Sequence, residues 1–148
     1  MSVWFTEISV DNLNEINSET MAQLIGIEYT EIGDDYIKAR MPIDGRTSQP
    51  MGILHGGASL TLAETLGSVS GYLCVDPAKN FCVGMEINAN HIRPVSEGYV
   101  YGVSKPIHLG KSSQVWEIRI TDDGGKLVCI SRITLAVLPH IWDDRDRS

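Results

Sequence analysis

QPMGILHGGASLTLAETLGSVS runs from Gln49 to Ser70, and the apolar character of its second half continues to Val75 with Glu64 as the only charged side chain between Gly56 and Val75. A carboxylate is costly to bury without partners. An acid alone in such a segment is therefore a candidate for chemistry. The segment is too long for an ordinary strand and predicts a helix from about Gly57 to Leu73, roughly 25 Å long at about 1.5 Å per residue. Gly56 and Gly57 stand where that helix begins, so a ligand can approach N–H groups that have no partner inside the helix and that the helix dipole reinforces. A tight entry turn is the plainer use of the same glycines.

On the N-terminal side, SETMAQLI at 18–25 opens on a serine that can cap a helix and ends before Gly26, which predicts a short helix. IEYTEI at 27–32 and YIKARMP at 36–42 flank GDD, a turn signature, and Ile37, Ala39 and Met41 alternate with Tyr36, Lys38 and Arg40. These predict a hairpin. On the C-terminal side four strands are expected at 81–92, 98–108, 113–121 and 126–138, the last two joined by Asp122–Gly125, whose glycines tolerate the positive φ of a tight turn. In the final strand Leu127, Cys129, Ile133, Leu135 and Val137 share one parity, while Val128, Ile130, Ala136 and Leu138 hold the other. Both faces must be at least partly covered. A long helix apolar nearly all round, followed by a meander of long strands, is best satisfied by an antiparallel sheet curled around that helix, an α+β architecture.

Length and charge narrow the partners. The 148 residues suit a single domain, 1–148 with its core at about 18–138, large enough to bury roughly 68–70% of its unfolded surface. A net charge of -7 and a pI near 4.9 argue against general affinity for nucleic acid. Three cysteines, Cys74, Cys82 and Cys129, fit neither a zinc site nor a secreted disulfide scaffold. No signal-peptide pattern opens the chain and no run reaches the ~18 apolar residues of a membrane span. A cytoplasmic protein without membrane partners is expected. The tail HIWDDRDRS reads as polar and frayed apart from Trp142.

Three separated blocks, LHGGASLTLAETLGS, GMEINANHIRPV and KPIHLGKSSQVWEI, resemble in that order the hotdog-fold thioesterases, in particular the bacterial branch that hydrolyses aromatic acyl-CoA thioesters. The likeness spans roughly residues 18–138. It is shared between the branch's dihydroxynaphthoyl-CoA enzymes of quinone biosynthesis and its proofreading enzymes of enterobactin synthesis. The resemblance implies a hotdog fold, a long central helix wrapped by a curved antiparallel sheet, and hydrolysis of hydroxybenzoyl- or dihydroxynaphthoyl-like thioesters to free acid and CoA. It also implies that coenzyme A belongs to the substrate and that no separate cofactor is needed. An aroyl group on a pantetheine carrier protein, or a noncatalytic acyl-CoA-binding module, are the other readings of the same blocks. The carboxylate, the glycine pair and Gln49 together favour catalysis, because a binding module has no need of the acid.

The roles the resemblance implies are chemically sensible. Attack on a thioester carbonyl builds charge on its oxygen, and one preorganised donor aimed there is worth on the order of 2.7–4 kcal/mol. By resemblance the Gly56 N–H is that donor, Gln49 helps to polarise the carbonyl, and His55 assists positioning and departure of the thiolate. Glu64 is the nucleophile, forming a mixed anhydride, or the base that activates water. Ser68, one helical turn further on, helps to hold that water, although serines in buried helices ordinarily bond back to a carbonyl of the preceding turn. His91 and Arg93, with His108, Gly110, Lys111 and Ser112 in the third block, match positions near the CoA arm, while Val69 and Met85 are candidates for the acyl pocket. Surface cations and core packing are the plainer readings of Lys111, Val69 and Met85.

Spacing argues for assembly. Gly56 and Glu64 are eight residues apart, ~12 Å along a helix, so one helix cannot bring both to one carbonyl. Two copies with antiparallel helices would pair Glu64 of one with Gly56 of the other at two equivalent interfacial sites; pairs of such dimers are implied by resemblance only. GKS at 110–112 lacks the first glycine of a phosphate loop, since Lys105 stands there. No GxSxG elbow exists to match His55-Gly56-Gly57 with a serine esterase. The histidines at 55, 91, 108 and 140 show no metal-ligand spacing, so no metal is expected.

Overall fold

A computed structural model describes residues 1–140, so the tail reading that includes Trp142 lies outside the described residues. Nine elements follow one another: α1 (Val10–Ile16), α2 (Met21–Leu24), β1 (Glu28–Ile32), β2 (Ile37–Pro42), α3 (Gly56–Leu73), β3 (Asn80–His91), β4 (Tyr99–Leu109), β5 (Ser113–Thr121) and β6 (Leu127–Pro139). The strands form one antiparallel sheet of six in the order β1-β2-β4-β5-β6-β3. Helix α3 packs against β2, β3, β4, β5 and β6, which gives the α+β hotdog arrangement of a helix wrapped by a sheet.

The hairpin of β1 and β2 forms as its alternation requires, with Ile37, Ala39 and Met41 buried. The strand order departs from a simple meander. β1 with β2, and β4 with β5 and β6, are neighbours in chain order, but β3 lies outside both runs, pairing with β6 and leaving its other edge unpaired among the described residues. The chain leaving β3 crosses the end of the sheet, pinned by Ile92 N–H to the Val128 carbonyl at 2.7 Å and by Leu54 N–H to the Val95 carbonyl at 2.8 Å. A helix apolar nearly all round explains the split, because it must be covered from both flanks.

Small residues let α3 lie close to the sheet. A Cβ at Gly67 would stand 2.4 Å from Ile133 Cγ2, one at Gly71 2.2 Å from Leu135 Cδ1, and one at Gly102 on β4 2.6 Å from Leu66 Cδ1. Around that contact Leu62, Leu66, Trp116, Ile118, Ile120 and Ile133 are wholly buried, each large side chain contributing about 1.5–3 kcal/mol. Polar groups under the helix are paired with one another: Ser70 Oγ lies 2.6 Å from Ser104 Oγ, and Trp116 Nε1 donates to Gln114 Oε1 at 2.9 Å. The irregular segment ahead of α1 closes one end of the wrap. Trp4 stacks on Trp116 at 6.0 Å between centroids, and the Phe5 N–H donates to the Leu73 carbonyl at the end of α3.

The short helix expected at 18–25 is shorter and later than its sequence suggests. Thr20, rather than Ser18, caps α2, its side chain accepting from the Gln23 N–H, and Ser18 Oγ instead donates to the Glu15 carbonyl that closes α1. Helix α1 went unpredicted because VDNLNEI is rich in residues that disfavour helix interiors and buries only Leu13.

Candidate active site

The loop before α3 is a rigid entry. His55 N–H donates to the buried Thr47 carbonyl at 2.8 Å, Gln49 N–H to the Ile53 carbonyl at 2.9 Å, and Gly52 turns with φ of +79°. His55 is the N-cap of α3, where its Nδ1 accepts from the Gly57 N–H at 2.8 Å. That bond fixes the tautomer and leaves Nε2–H as the donor of the ring. The His55 carbonyl takes the Ala58 and Ser59 N–H groups. One amide of the first turn is left over: the Gly56 N–H has no acceptor among the described residues.

Gly56 lines a cavity of about 350 Å³ whose polar lining also includes Gln49, Ser59, His91 and Arg93, against an apolar wall that includes Leu54, Ile92 and Val128. His91, at the end of β3, lies directly over Gly56; a Cβ there would stand 2.8 Å from its Nε2. Gly56 has no positive φ, and a side chain there would have to displace the His91 ring. Gln49 Oε1 accepts a short bond from the Met51 N–H, which leaves the amide NH₂ as its donor. Ser59 is 1% exposed, and its hydroxyl has no partner among the described residues. Arg93 is anchored, with Nη1 3.0 Å from Asp122 Oδ2 in the β5–β6 turn. The Lys126 amide, the Arg93 charge and the Gly124 amide hold the Asp122 carboxyl below the usual aspartate range.

Glu64 sits elsewhere. Its half-buried side chain lines a second, shallower pocket of about 240 Å³ with Met21, Leu60, Thr61, Thr65 and Ile87, and Oε1 lies against Gly84 on β3, 2.9 Å from where a Cβ would be. Glu64 has no hydrogen-bond or ion-pair partner among the described residues. Ser68 also has none. The contrast is informative, because Thr61, Thr65 and Ser70 on the same helix all donate back to the fourth preceding carbonyl. The cysteines offer no alternative nucleophile: burial, reinforced by Cys82, pushes the Cys74 thiol up to about 12, and burial raises Cys82 and Cys129 as well.

Comparison with known proteins decides the family. Residues 51–129 match the family model described as the thioesterase superfamily. The 1,4-dihydroxy-2-naphthoyl-CoA hydrolase of Escherichia coli is 50% identical over 136 residues, 92% of this chain and 99% of that protein. The chain belongs to the thioesterase superfamily. The proofreading thioesterase EntH of Cronobacter turicensis is 49% identical, covering 92% of this chain and 98% of that protein. A crystal structure of a Pseudomonas aeruginosa thioesterase superposes with a TM-score of 0.91 at 46% identity, covering 93% of this chain and 99% of that one. The chain is a thioester-hydrolysing enzyme of hotdog fold.

The remaining candidates of this thioesterase lie apart from the Gly56 cavity within one protomer. His108 is on β4, and Gly110, Lys111 and Ser112 form the β4–β5 turn. Ser113 pairs with Ala136 of β6 and His91 with Cys129, so seven residues of β6, roughly 24 Å, separate that turn from the cavity. Val69 packs against the core, and Met85 on β3 is 66% exposed. The sequence reading missed Ser59, Gly84 and Asp122. Ser59 follows Gly56 by three residues, one helical turn, and was legible in principle; nothing in sequence links Asp122 to Arg93 across the crossing loop. No helix among the described residues is long and apolar enough to cross a membrane, and no group of three or more His, Cys, Asp or Glu among them is arranged to hold a metal.

Proposed function

We propose that this thioesterase hydrolyses aromatic acyl-CoA thioesters at a site shared by two copies of the chain. The observation that carries the reading is the pairing of an unengaged N–H, Gly56, at the start of an 18-residue helix with an unengaged carboxylate, Glu64, that faces a different pocket.

The unpaired edge of β3 supports the shared site. On β3, His91 occupies the space a Cβ on Gly56 would take, and Glu64 reaches the space a Cβ on Gly84 would take. A two-fold axis near the middle of this strand lays His91 of one copy beside Gly84 of the other, which brings the partner's Glu64 toward the Gly56 amide. The same operation carries the partner's His108, Gly110, Lys111 and Ser112 toward the cavity that contains His91 and Arg93. Val83 and Met85, exposed on β3, would then be covered. A dimer is the unit this reaction requires; a dimer of dimers is compatible with it.

In this arrangement the thioester oxygen accepts from the Gly56 N–H and the Gln49 amide. The partner's Glu64 attacks the carbonyl carbon, or takes a proton from a water that does so, with the free Ser68 hydroxyl holding that water. The C–S bond breaks as the tetrahedral species collapses, and the sulfur leaves as a thiolate that accepts a hydrogen bond from His55 Nε2–H and takes its proton from the protonated Glu64 on the water route or from solvent on the anhydride route. When Glu64 is the nucleophile, water then cleaves the acyl anhydride and restores the carboxylate. Met21, Leu60 and Ile87 beside Glu64 supply an apolar surface for a flat ring, and both named relatives have closely similar chains. An aroyl group on a pantetheine carrier would present the same thioester to the same groups.

The test is a steady-state comparison of benzoyl-, dihydroxynaphthoyl-, phenylacetyl- and straight-chain acyl-CoA with the native protein and Glu64→Gln. Aroyl thioesters should exceed long aliphatic ones in kcat/KM by about tenfold or more, and the variant should lose about a hundredfold in kcat. Equal turnover of long aliphatic chains would overturn the aromatic assignment.

A further inference from the structure

We propose that Asp122 is a positioning residue that fixes Arg93 as the receptor for a phosphate of the substrate's thiol carrier. The proposal rests on the reading that a pantetheine thioester occupies the Gly56 cavity. Arg93 leaves β3 beside Pro94 and lines that cavity, with a side chain 37% exposed against 14% for Asp122. Its Nη1 lies 3.0 Å from Asp122 Oδ2 but off the line of a hydrogen bond, so this buried nitrogen has a charge partner and no aligned acceptor. A guanidinium has five N–H donors and favours paired contacts to carboxylate or phosphate. Here a single off-line contact holds the head group, and the other donors remain for a ligand.

The anchor itself is rigid. Asp122 Oδ1 accepts from the Gly124 N–H at 3.0 Å and the Lys126 N–H at 2.9 Å, and the Asp122 N–H donates to the Lys126 carbonyl at 2.9 Å. Arg93 is tied to the neighbouring strand as well, since its N–H reaches the Val128 carbonyl at 3.3 Å. The β5–β6 turn thus fastens a cation at the mouth of a cavity in a chain of net charge -7. Without that fastening, a flexible arginine would lose rotamer freedom on each binding event. Phosphate could come from the ribose 3′ position of CoA or from the phosphopantetheine shared by CoA and carrier proteins.

Asp122→Asn isolates the effect, because the amide oxygen keeps the Gly124 and Lys126 bonds while the charge facing Arg93 is removed. Kinetics are to be measured with benzoyl-CoA, benzoyl-4′-phosphopantetheine and the benzoyl thioester of N-acetylcysteamine, which has no phosphate. KM for benzoyl-CoA should rise about fivefold or more with kcat within about twofold, and kcat/KM for the N-acetylcysteamine thioester should stay within about twofold. A parallel rise for benzoyl-4′-phosphopantetheine assigns the contact to the shared phosphate; a rise confined to benzoyl-CoA assigns it to the nucleotide. An unchanged KM for benzoyl-CoA, or an equal loss on all three substrates, would overturn the proposal, the latter by showing a purely structural turn. Failure of the native protein on every thioester would instead remove the functional reading on which it rests.

Discussion

Gly84→Ala should lower kcat about tenfold while leaving the fold intact. The glycine sits at the irregularity of β3 and carries no positive φ, so alanine can adopt its backbone. What it cannot do is share the space: the added Cβ would stand 2.9 Å from Glu64 Oε1, whereas ordinary contact begins at 3.4 Å. The carboxylate must retreat by the difference, about 0.5 Å. Misplacing a reacting group by about 1 Å costs on the order of a hundredfold, so half that displacement gives about tenfold, or ~1.4 kcal/mol of barrier. Stability is governed by different atoms. Glu64 is half-exposed and unbonded, so its flexible end yields at little cost, and replacing a strand glycine reduces unfolded-chain entropy by about 0.4–1 kcal/mol. The assay is steady-state hydrolysis of benzoyl-CoA alongside a thermal melt. A kcat within about twofold of the native protein, at unchanged Tm, would refute the reasoning that the position of this carboxylate is set by Gly84.

Two other glycines separate packing from chemistry. Gly67→Ala places a methyl 2.4 Å from Cγ2 of the wholly buried Ile133; overpacking of about 1–3 kcal/mol exceeds the ~1 kcal/mol gained in helix propensity, so Tm should fall by several degrees. Gly56→Ala meets only the exposed ring of His91, 2.8 Å away, which can swing aside at about 0.5–1.5 kcal/mol; Tm should hold while kcat/KM falls about a hundredfold as the methyl and the displaced ring crowd the free amide.

Much of the fold was legible because its signals are local. The strand at 113–121 coincides with β5, and the helix expected from Gly57 begins one residue earlier. Both depend on runs long enough for period and length to agree. Strand order was not legible: the pairing of β3 with β6 depends on how the crossing loop at 92–98 packs, and no alternation of side chains encodes that. The candidate-site blocks could be picked out as residues but not placed in space. Gly56, His55 and Gln49 meet because they are nearly adjacent in sequence, and His91 joins them only through the end of β3. The third block lies at the far end of the sheet, a consequence of register that sequence spacing does not carry.

The most direct test of the shared site is complementation between two impaired variants. Glu64→Gln and Gly56→Ala chains, mixed as equal amounts of unfolded protein and refolded together, should form hybrid dimers in which one site joins an intact Gly56 to an intact Glu64 and the other has neither. Random pairing makes half of the dimers hybrids with one working site each, so about a quarter of native activity should return. Activity no greater than the average of the two variants alone, with hybrid dimers demonstrably formed, would contradict a catalytic centre built from two chains.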